Sequence, residues 1–154
     1  MPTAGTDRTW CVVVPHQAAG ARQARHRFTA ALEGLLPGTF LSDAVAVMAE
    51  LVGNAVRHAR PLDGGVVRVA WRLLPAASAP HPTVEIRVTD GGSTTPPERR
   101  EADPESPDGR GLTIVAALAD SWGVDHDGLG QCVWARLTVP STRRPGPLLA
   151  GAGA

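Results

Sequence analysis

Two polar side chains, Glu50 and Asn54, interrupt the otherwise apolar segment between Asp43 and Arg57. They lie four residues apart, a spacing that places them on one face of an α-helix. Leaving a carboxylate and a carboxamide among apolar groups is costly unless each finds a partner. Two interpretations follow. Either Glu50 is the polar edge of an amphipathic helix and Asn54 is a core amide with its hydrogen bonds satisfied, or both residues belong to a ligand site.

A second polar feature, Asp90, ends an alternating strand pattern and is followed by Gly91 and Gly92. An ionised carboxylate only accepts hydrogen bonds, so Asp90 can bind an exocyclic amine such as N6 of adenine, whereas guanine presents a carbonyl there. Gly92 lacks a Cβ and allows the main chain to approach a base closely. The alternative is that Asp90 only forms a turn before two glycines.

A third feature is the short sequence in which Gly109, Arg110 and Gly111 precede Leu112, where helical periodicity resumes. The free amide groups and the dipole at a helix start favour phosphate binding. Arg110 either contacts phosphate or points to solvent. All fifteen basic residues are arginine, so a cation at a phosphate must be arginine or a metal ion.

The composition indicates one domain of 154 residues with zero net charge. We therefore expect no direct binding to nucleic acid. The N-terminus has no apolar signal region, and no uncharged apolar stretch reaches the ~18 residues of a membrane span, which predicts a cytoplasmic protein without membrane contact. Cys11 and Cys132 lack the CxxC spacing of a zinc or redox site and are predicted to lie in the core. The four tryptophans are also predicted to be core residues.

Hydrophobic periodicity predicts five strands and two or three helices. The strands are expected at 10–14, 66–74, 83–89, 122–126 and 131–139, and the helices at 18–35, from an N-cap at Ser42 to His58, and from Leu112. Short hairpin connections favour antiparallel pairing. The predicted fold is an α/β (α+β) two-layer sandwich in which helices cover one face of a mostly antiparallel sheet.

The predicted domain spans residues 9–140, with disordered ends at 1–8 and 141–154. Within it, residues 91–109 show no periodicity and are rich in glycine and proline. Structureless connections of this length in a compact domain are usually functional, so this segment is predicted to be a lid over the polar pair.

Three segments resemble the N, G1 and G2 boxes of the GHKL superfamily of ATPases and kinases. They are, in that order, Glu50 to Ala59, Asp90 to Gly92, and Gly109 to Leu112. The length and order of the boxes are similar to those of anti-sigma factor serine/threonine kinases, from about Trp10 to Pro140. The resemblance implies a histidine kinase-like ATPase fold with ATP and Mg²⁺ as cofactors. It implies Asn54 as the metal ligand and nucleotide contacts from Asn54, Asp90, Gly92, Gly109, Arg110, Gly111 and Leu112. It also implies Glu50 as the catalytic residue, which would accept a proton from an attacking hydroxyl or orient a water toward the γ-phosphate. The alternative is that Glu50 only holds a metal-bound water.

By the same resemblance, the protein phosphorylates an anti-sigma factor antagonist, binds a sigma factor and so regulates transcription, with a homodimer as a possible assembly. Thr94 replaces a glycine that many relatives carry, and Gln131 and Cys132 replace a frequent Lys-Thr pair. These departures leave two alternatives open: an ATP-binding regulatory module without significant kinase activity, or a histidine kinase-related ATPase domain.

Overall fold

One antiparallel sheet with helices on one face makes up the part of the chain that the computed structural model describes, residues 8–74, 82–93, 107–126, 128 and 130–139. Five strands and three helices occur in these residues. In chain order they are β1 (Arg8–Pro15), α1 (Ala18–Leu32), α2 (Gly38–His58), β2 (Val66–Leu74), β3 (Thr83–Asp90), α3 (Pro107–Leu118), β4 (Ser121–His126) and β5 (Gln131–Thr138). The strand order is β1-β2-β3-β5-β4, and every neighbouring pair is antiparallel. The predicted two-layer fold is confirmed.

Alternation along the strands divides the sheet into an inner and an outer face. On the inner face, the cross-strand pair Trp71 and Ile86 is buried beneath the helices. Phe28 of α1 meets Trp71 edge to face, with 5.1 Å between ring centroids. Truncating such a buried aromatic ring to alanine costs about 3–5 kcal/mol, so this contact anchors α1 on the sheet.

Helix α2 is the central helix of the core because apolar residues recur at every third or fourth position. Its buried apolar residues are Phe40, Ala44, Val47, Met48, Leu51, Val52 and Ala55. By length and composition α2 could cross a membrane, but 50% of its apolar window is buried inside the domain. Burial against the sheet and the other helices accounts for its apolar character.

Several predicted boundaries were wrong by a few residues. Ser42 is not an N-cap, because α2 begins at Gly38 after Pro37, and the Ser42 hydroxyl donates to the carbonyl of Gly38 at 3.2 Å. Helix α1 ends at Leu32, since Gly34 takes a positive φ of 86° that stops the helix. Strand β1 starts at Arg8, which was placed in the disordered N-terminus.

The third helix begins at Pro107 and not at Leu112. Proline suits the first turn of a helix because its missing N–H has no partner there anyway. Residues 107–109 therefore belong to α3 and not to the predicted lid of residues 91–109. Of the rest of the predicted lid, residues 91–93 are described and follow β3, whereas 94–106, with Thr94, lie outside the described residues. Residues 1–7 of the predicted disordered N-terminus 1–8 and the predicted disordered tail 141–154 also lie outside them.

The prediction of two core cysteines was wrong for Cys11, which is exposed, whereas Cys132 is buried. Cys11 alternates with inner-facing residues and so lies on the outer face of β1. Trp134 is likewise on the outer face and only partly buried, so the prediction of four core tryptophans was wrong there.

Candidate functional site

Asn54 lies in the buried interior of the domain, on the penultimate turn of α2. Its side chain is only 5% exposed, and its amide oxygen Oδ1 has no hydrogen-bond partner among the described residues. A buried polar atom without a partner costs about 1–3 kcal/mol, so most are satisfied in native proteins. The unpartnered oxygen makes Asn54 a candidate ligand-binding residue.

Glu50 lies one turn before Asn54, at the rim of the same helix face. Its side chain is 32% exposed, and Oε1 lies 4.0 Å from Nη2 of Arg57. The guanidinium of Arg57 folds back across Gly53, where a Cβ would approach Nη1 to 2.8 Å. Because ion pairs this long and exposed contribute less than about 1 kcal/mol, the Glu50 carboxylate stays accessible.

Asp90 ends β3 on the inner side of the sheet and is 2% exposed. Its Oδ1 accepts a hydrogen bond from the N–H of Gly92 at 2.7 Å. Gly92 has a φ of 96°, a conformation that favours glycine. The turn-forming alternative is therefore correct for one carboxylate oxygen of Asp90, and this contact fixes the orientation of the carboxylate.

Two backbone hydrogen bonds join the end of β3 to the segment that follows α2. The N–H of Gly91 donates to the carbonyl of Arg60 at 2.7 Å, and the N–H of Arg60 donates to the carbonyl of Gly92 at 2.9 Å. A Cβ at Gly91 would clash with the carbonyl oxygen of Pro61. Glycine at this position therefore permits the close approach that links the turn after Asp90 to the end of the helix that carries Asn54.

His16 also ties α2 to the sheet, and sequence analysis did not assign it a role. Its Nε2–H is shared between the carbonyls of Ala55, at 3.0 Å, and Ala59, at 2.8 Å. Carbonyls in the last turn of a helix have no partner within that helix. From the end of β1, His16 supplies a donor to the carbonyl of Ala59 and a second donor to the carbonyl of Ala55, which also accepts the N–H of Ala59 at 3.1 Å. No local sequence pattern exists for this long-range contact.

The third predicted segment forms the first turns of α3, which packs against α2. Gly109, Arg110 and Gly111 are within the helix, and Leu112 is buried at 1% exposure. The prediction that Gly109 and Gly111 flank the helix start was wrong, because the free amide groups belong to the turn that begins at Pro107.

The site has few candidate metal ligands of its own. The described residues contain no group of three or more His, Cys, Asp or Glu side chains that could hold a metal ion. Mg²⁺ requires no such group, because it keeps several waters and takes other ligands from substrate phosphates. The unpartnered amide oxygen of Asn54 fits this requirement as a single hard, neutral protein ligand.

Comparison with known proteins agrees with this arrangement. The sequence profile of the histidine kinase-like ATPase domain matches residues 14–137. The chain belongs to this family. The matched range of the histidine kinase-like ATPase domain contains all the predicted site residues, and it supports ATP binding and an ATP-using, kinase-like activity. No curated protein matches the chain.

The predicted residues thus fall on three elements of this ATPase domain, and α2 contacts both of the others. Glu50 and Asn54 share one face of α2, Asp90 and Gly92 form the turn that is bonded to the segment after α2, and α3 packs on α2. A clear surface depression lies elsewhere, on the outer face of the sheet.

Proposed function

We propose that this domain is an ATP- and Mg²⁺-dependent protein serine/threonine kinase of the anti-sigma factor type. Its substrate would be a serine of an anti-sigma factor antagonist, and phosphorylation would regulate a sigma factor by partner switching. The observation that carries the proposal is the buried, unpartnered Oδ1 of Asn54 one helical turn from the accessible carboxylate of Glu50. The choice of protein partners, and of a homodimer, rests on the resemblance alone.

Glu50 acts as the general base in the proposed reaction. Its carboxylate takes the proton of the substrate serine hydroxyl, whose oxygen forms a bond to the γ-phosphorus of ATP while the bond to the β–γ bridging oxygen breaks and ADP leaves. The position of Glu50 at the rim supports this role, because a protein hydroxyl must reach it from outside. The weak contact with Arg57 does not prevent that approach.

Asn54 would hold Mg²⁺ through Oδ1, and the metal would supply neutralisation of phosphate charge. Asp90 would select the base, because its carboxylate accepts a hydrogen bond from the adenine amine and would face an acceptor on guanine. The hydrogen bond from Gly92 keeps the Asp90 carboxylate in one orientation, which supports a recognition role.

The experiment that tests the kinase proposal is phosphate transfer from γ-labelled ATP to a purified antagonist protein. Glu50→Gln keeps the size of the side chain and removes the base, so we expect transfer to fall by about 10²-fold or more with ATP affinity within about twofold of the wild type. Transfer at the wild-type rate in Glu50→Gln would show that Glu50 is not the base. Arg57→Gln is the matched control, since it removes the weak ion pair with Glu50 and keeps the Glu50 carboxylate.

A second candidate, a regulatory ATP-binding module without significant catalysis, is favoured by the position of Gln131. Gln131 is buried and pairs with Asp90 across the sheet, next to Cys132. Many relatives carry lysine and threonine at these two positions, so this chain has no lysine cation beside Asp90. The labelled transfer assay separates the two candidates, because both bind ATP and only the kinase consumes it.

A further inference from the structure

The outer face of the sheet is a second distinctive surface, on the side opposite to the three described helices. Its charged residues are four arginines and two acids, which leave a net charge of +2: Arg68, Arg72, Glu85, Arg87, Arg136 and Asp125. The chain as a whole is neutral. Positive charge is therefore concentrated on this face.

A buried carboxylate organises the arginines. Glu85 is 5% exposed, and its Oε2 accepts a hydrogen bond from Nε of Arg136 at 2.8 Å. Its Oε1 lies 3.9 Å from Nη2 of Arg72 and 4.0 Å from Nη1 of Arg87. Three guanidinium groups are thus gathered around one acid on three adjacent strands.

Neighbouring contacts hold two of these guanidinium groups in place. Arg87 donates from Nη2 to Oδ2 of Asp125 at 2.7 Å. Partial burial disfavours the charged form of Arg87, but this hydrogen bond and the nearby negative charges outweigh it and raise its pKa. Arg136 lies over the ring of Trp134, 5.7 Å from the centroid. The array is therefore ordered before any ligand arrives, which lowers the entropy cost of binding.

The arginines surround a depression of about 420 Å³, lined mainly by Thr9, Ala70, Arg72, Glu85, Arg87 and Arg136. Each of the three arginine side chains is more than a third exposed, so a ligand can reach their donors. Glu85 and Asp90 are five residues apart on β3 and on opposite faces. That separation is roughly 17 Å along the strand, so the depression is distinct from the candidate ATP site.

We propose that the outer face binds an acidic segment of a partner protein, with one carboxylate side chain entering the depression. Planar guanidinium groups on rigid strands recognise carboxylates through paired, charge-assisted hydrogen bonds. The same face carries the exposed Val13, at 58%, and the partly buried Trp134, which pairs with Arg87 across the sheet. Arginine and tryptophan beside apolar groups are typical of the centres of protein interfaces.

The charge of the surface argues against a second copy of the same face as the occupant. Two faces of equal positive charge would repel each other in a symmetric pair. Residues 75–81 and 140–154 of this chain, which adjoin strands of the sheet, are also poor occupants because they contain no acidic side chain. A separate acidic protein is the occupant that this charge distribution favours.

The test uses the full chain and a short fluorescein-labelled peptide in which glutamate alternates with alanine, followed by fluorescence anisotropy at low salt. We expect Arg72→Glu with Arg136→Glu to weaken peptide binding about tenfold or more. The matched control is Arg22→Glu with Arg27→Glu on exposed positions of α1, which changes the net charge equally. The control variant should bind the peptide within about threefold of the wild type.

A second variant guards against misfolding caused by loss of the Glu85 contacts. Val13→Glu adds one negative charge to the same face and leaves the contacts of Glu85 in place. It should also weaken peptide binding measurably. ATP binding, measured in parallel, should be unchanged in all these variants. Loss of peptide binding with intact ATP binding would support the proposal, and it would do so whether or not the domain is a kinase.

Three outcomes would overturn the proposal. The first is no peptide binding by the wild type, and the second is equal weakening by the α1 control, which would indicate a general charge effect. The third is binding of single-stranded DNA or of phosphatidylserine vesicles to this face as tightly as the peptide, which would assign the surface to a different class of partner.

Discussion

Replacing Asn54 by leucine should separate the stability of the domain from its ability to bind Mg²⁺ and ATP. The amide oxygen of Asn54 is buried without a partner, so the ligand-free domain bears its desolvation cost, about 1–3 kcal/mol. Leucine has a similar volume and no polar atom. We expect the free energy of unfolding of Asn54→Leu without nucleotide to be unchanged or to rise by up to about 2 kcal/mol.

The same substitution should remove the part of ATP affinity that depends on Mg²⁺. The assays are urea unfolding without nucleotide and calorimetric titration with ATP in the presence and absence of Mg²⁺. A suitable control is Val47→Ala on the same helix, a fully buried residue whose truncation should cost about 2 kcal/mol. That control should leave the Mg²⁺ dependence of ATP binding intact. Asn54→Leu should therefore lower ATP affinity without lowering stability, whereas Val47→Ala should lower stability without lowering ATP affinity.

The reasoning would be refuted if Asn54→Leu lost several kcal/mol of stability and kept Mg²⁺-dependent ATP binding. That combination would mean that the amide is a satisfied structural group of the core. It would return Asn54 to the alternative interpretation of an amphipathic helix with no ligand site.

Three further substitutions test neighbouring contacts. Asp90→Asn keeps an oxygen for the turn but presents an amide donor, so titration should show ATP affinity falling about tenfold or more. The ratio of ATP affinity to GTP affinity should also fall, and an unchanged ratio would contradict recognition of the base by Asp90. Gly91→Ala should destabilise the domain by about 2–3 kcal/mol in urea unfolding, because the new Cβ would clash with the backbone carbonyl of Pro61. Gly128→Ala is the control and should have little effect, since a Cβ there meets nothing within 4 Å. His16→Ala should cost about 1 kcal/mol by the same measurement, because the Ala59 carbonyl loses the His16 donor and the Ala55 carbonyl keeps only the N–H of Ala59. Equal stability would show that water replaces the imidazole.

Much of the fold could be predicted because the apolar patterns are regular where one face is buried. The alternation at 66–74 and 83–89 located β2 and β3 to within a residue. The wide apolar stripe of α2 identified the core helix. By contrast, the continuous apolar run of β1 suggested burial on both faces, whereas the outer face leaves Cys11 and Val13 exposed.

The features that escaped prediction depend on contacts between distant parts of the chain. The start of α2 was misplaced at Ser42 because a proline followed by a glycine is typical of a break, whereas Pro37 and Gly38 lead directly into the helix. The contact of His16 with the end of α2 spans about forty residues and has no local signature. The site residues could be predicted because each is a polar residue or a glycine within an apolar pattern. Their spatial arrangement could not, because it depends on the backbone hydrogen bonds between Arg60 and the turn after Asp90.

The most direct test of the account is calorimetric titration of the purified protein with ATP and with GTP, each with and without Mg²⁺. A metal-binding amide at Asn54 and a base-reading carboxylate at Asp90 predict that ATP binds, that Mg²⁺ tightens its binding, and that GTP binds at least about tenfold more weakly. Binding of neither nucleotide, or equal affinity for both without any effect of Mg²⁺, would contradict the central claim.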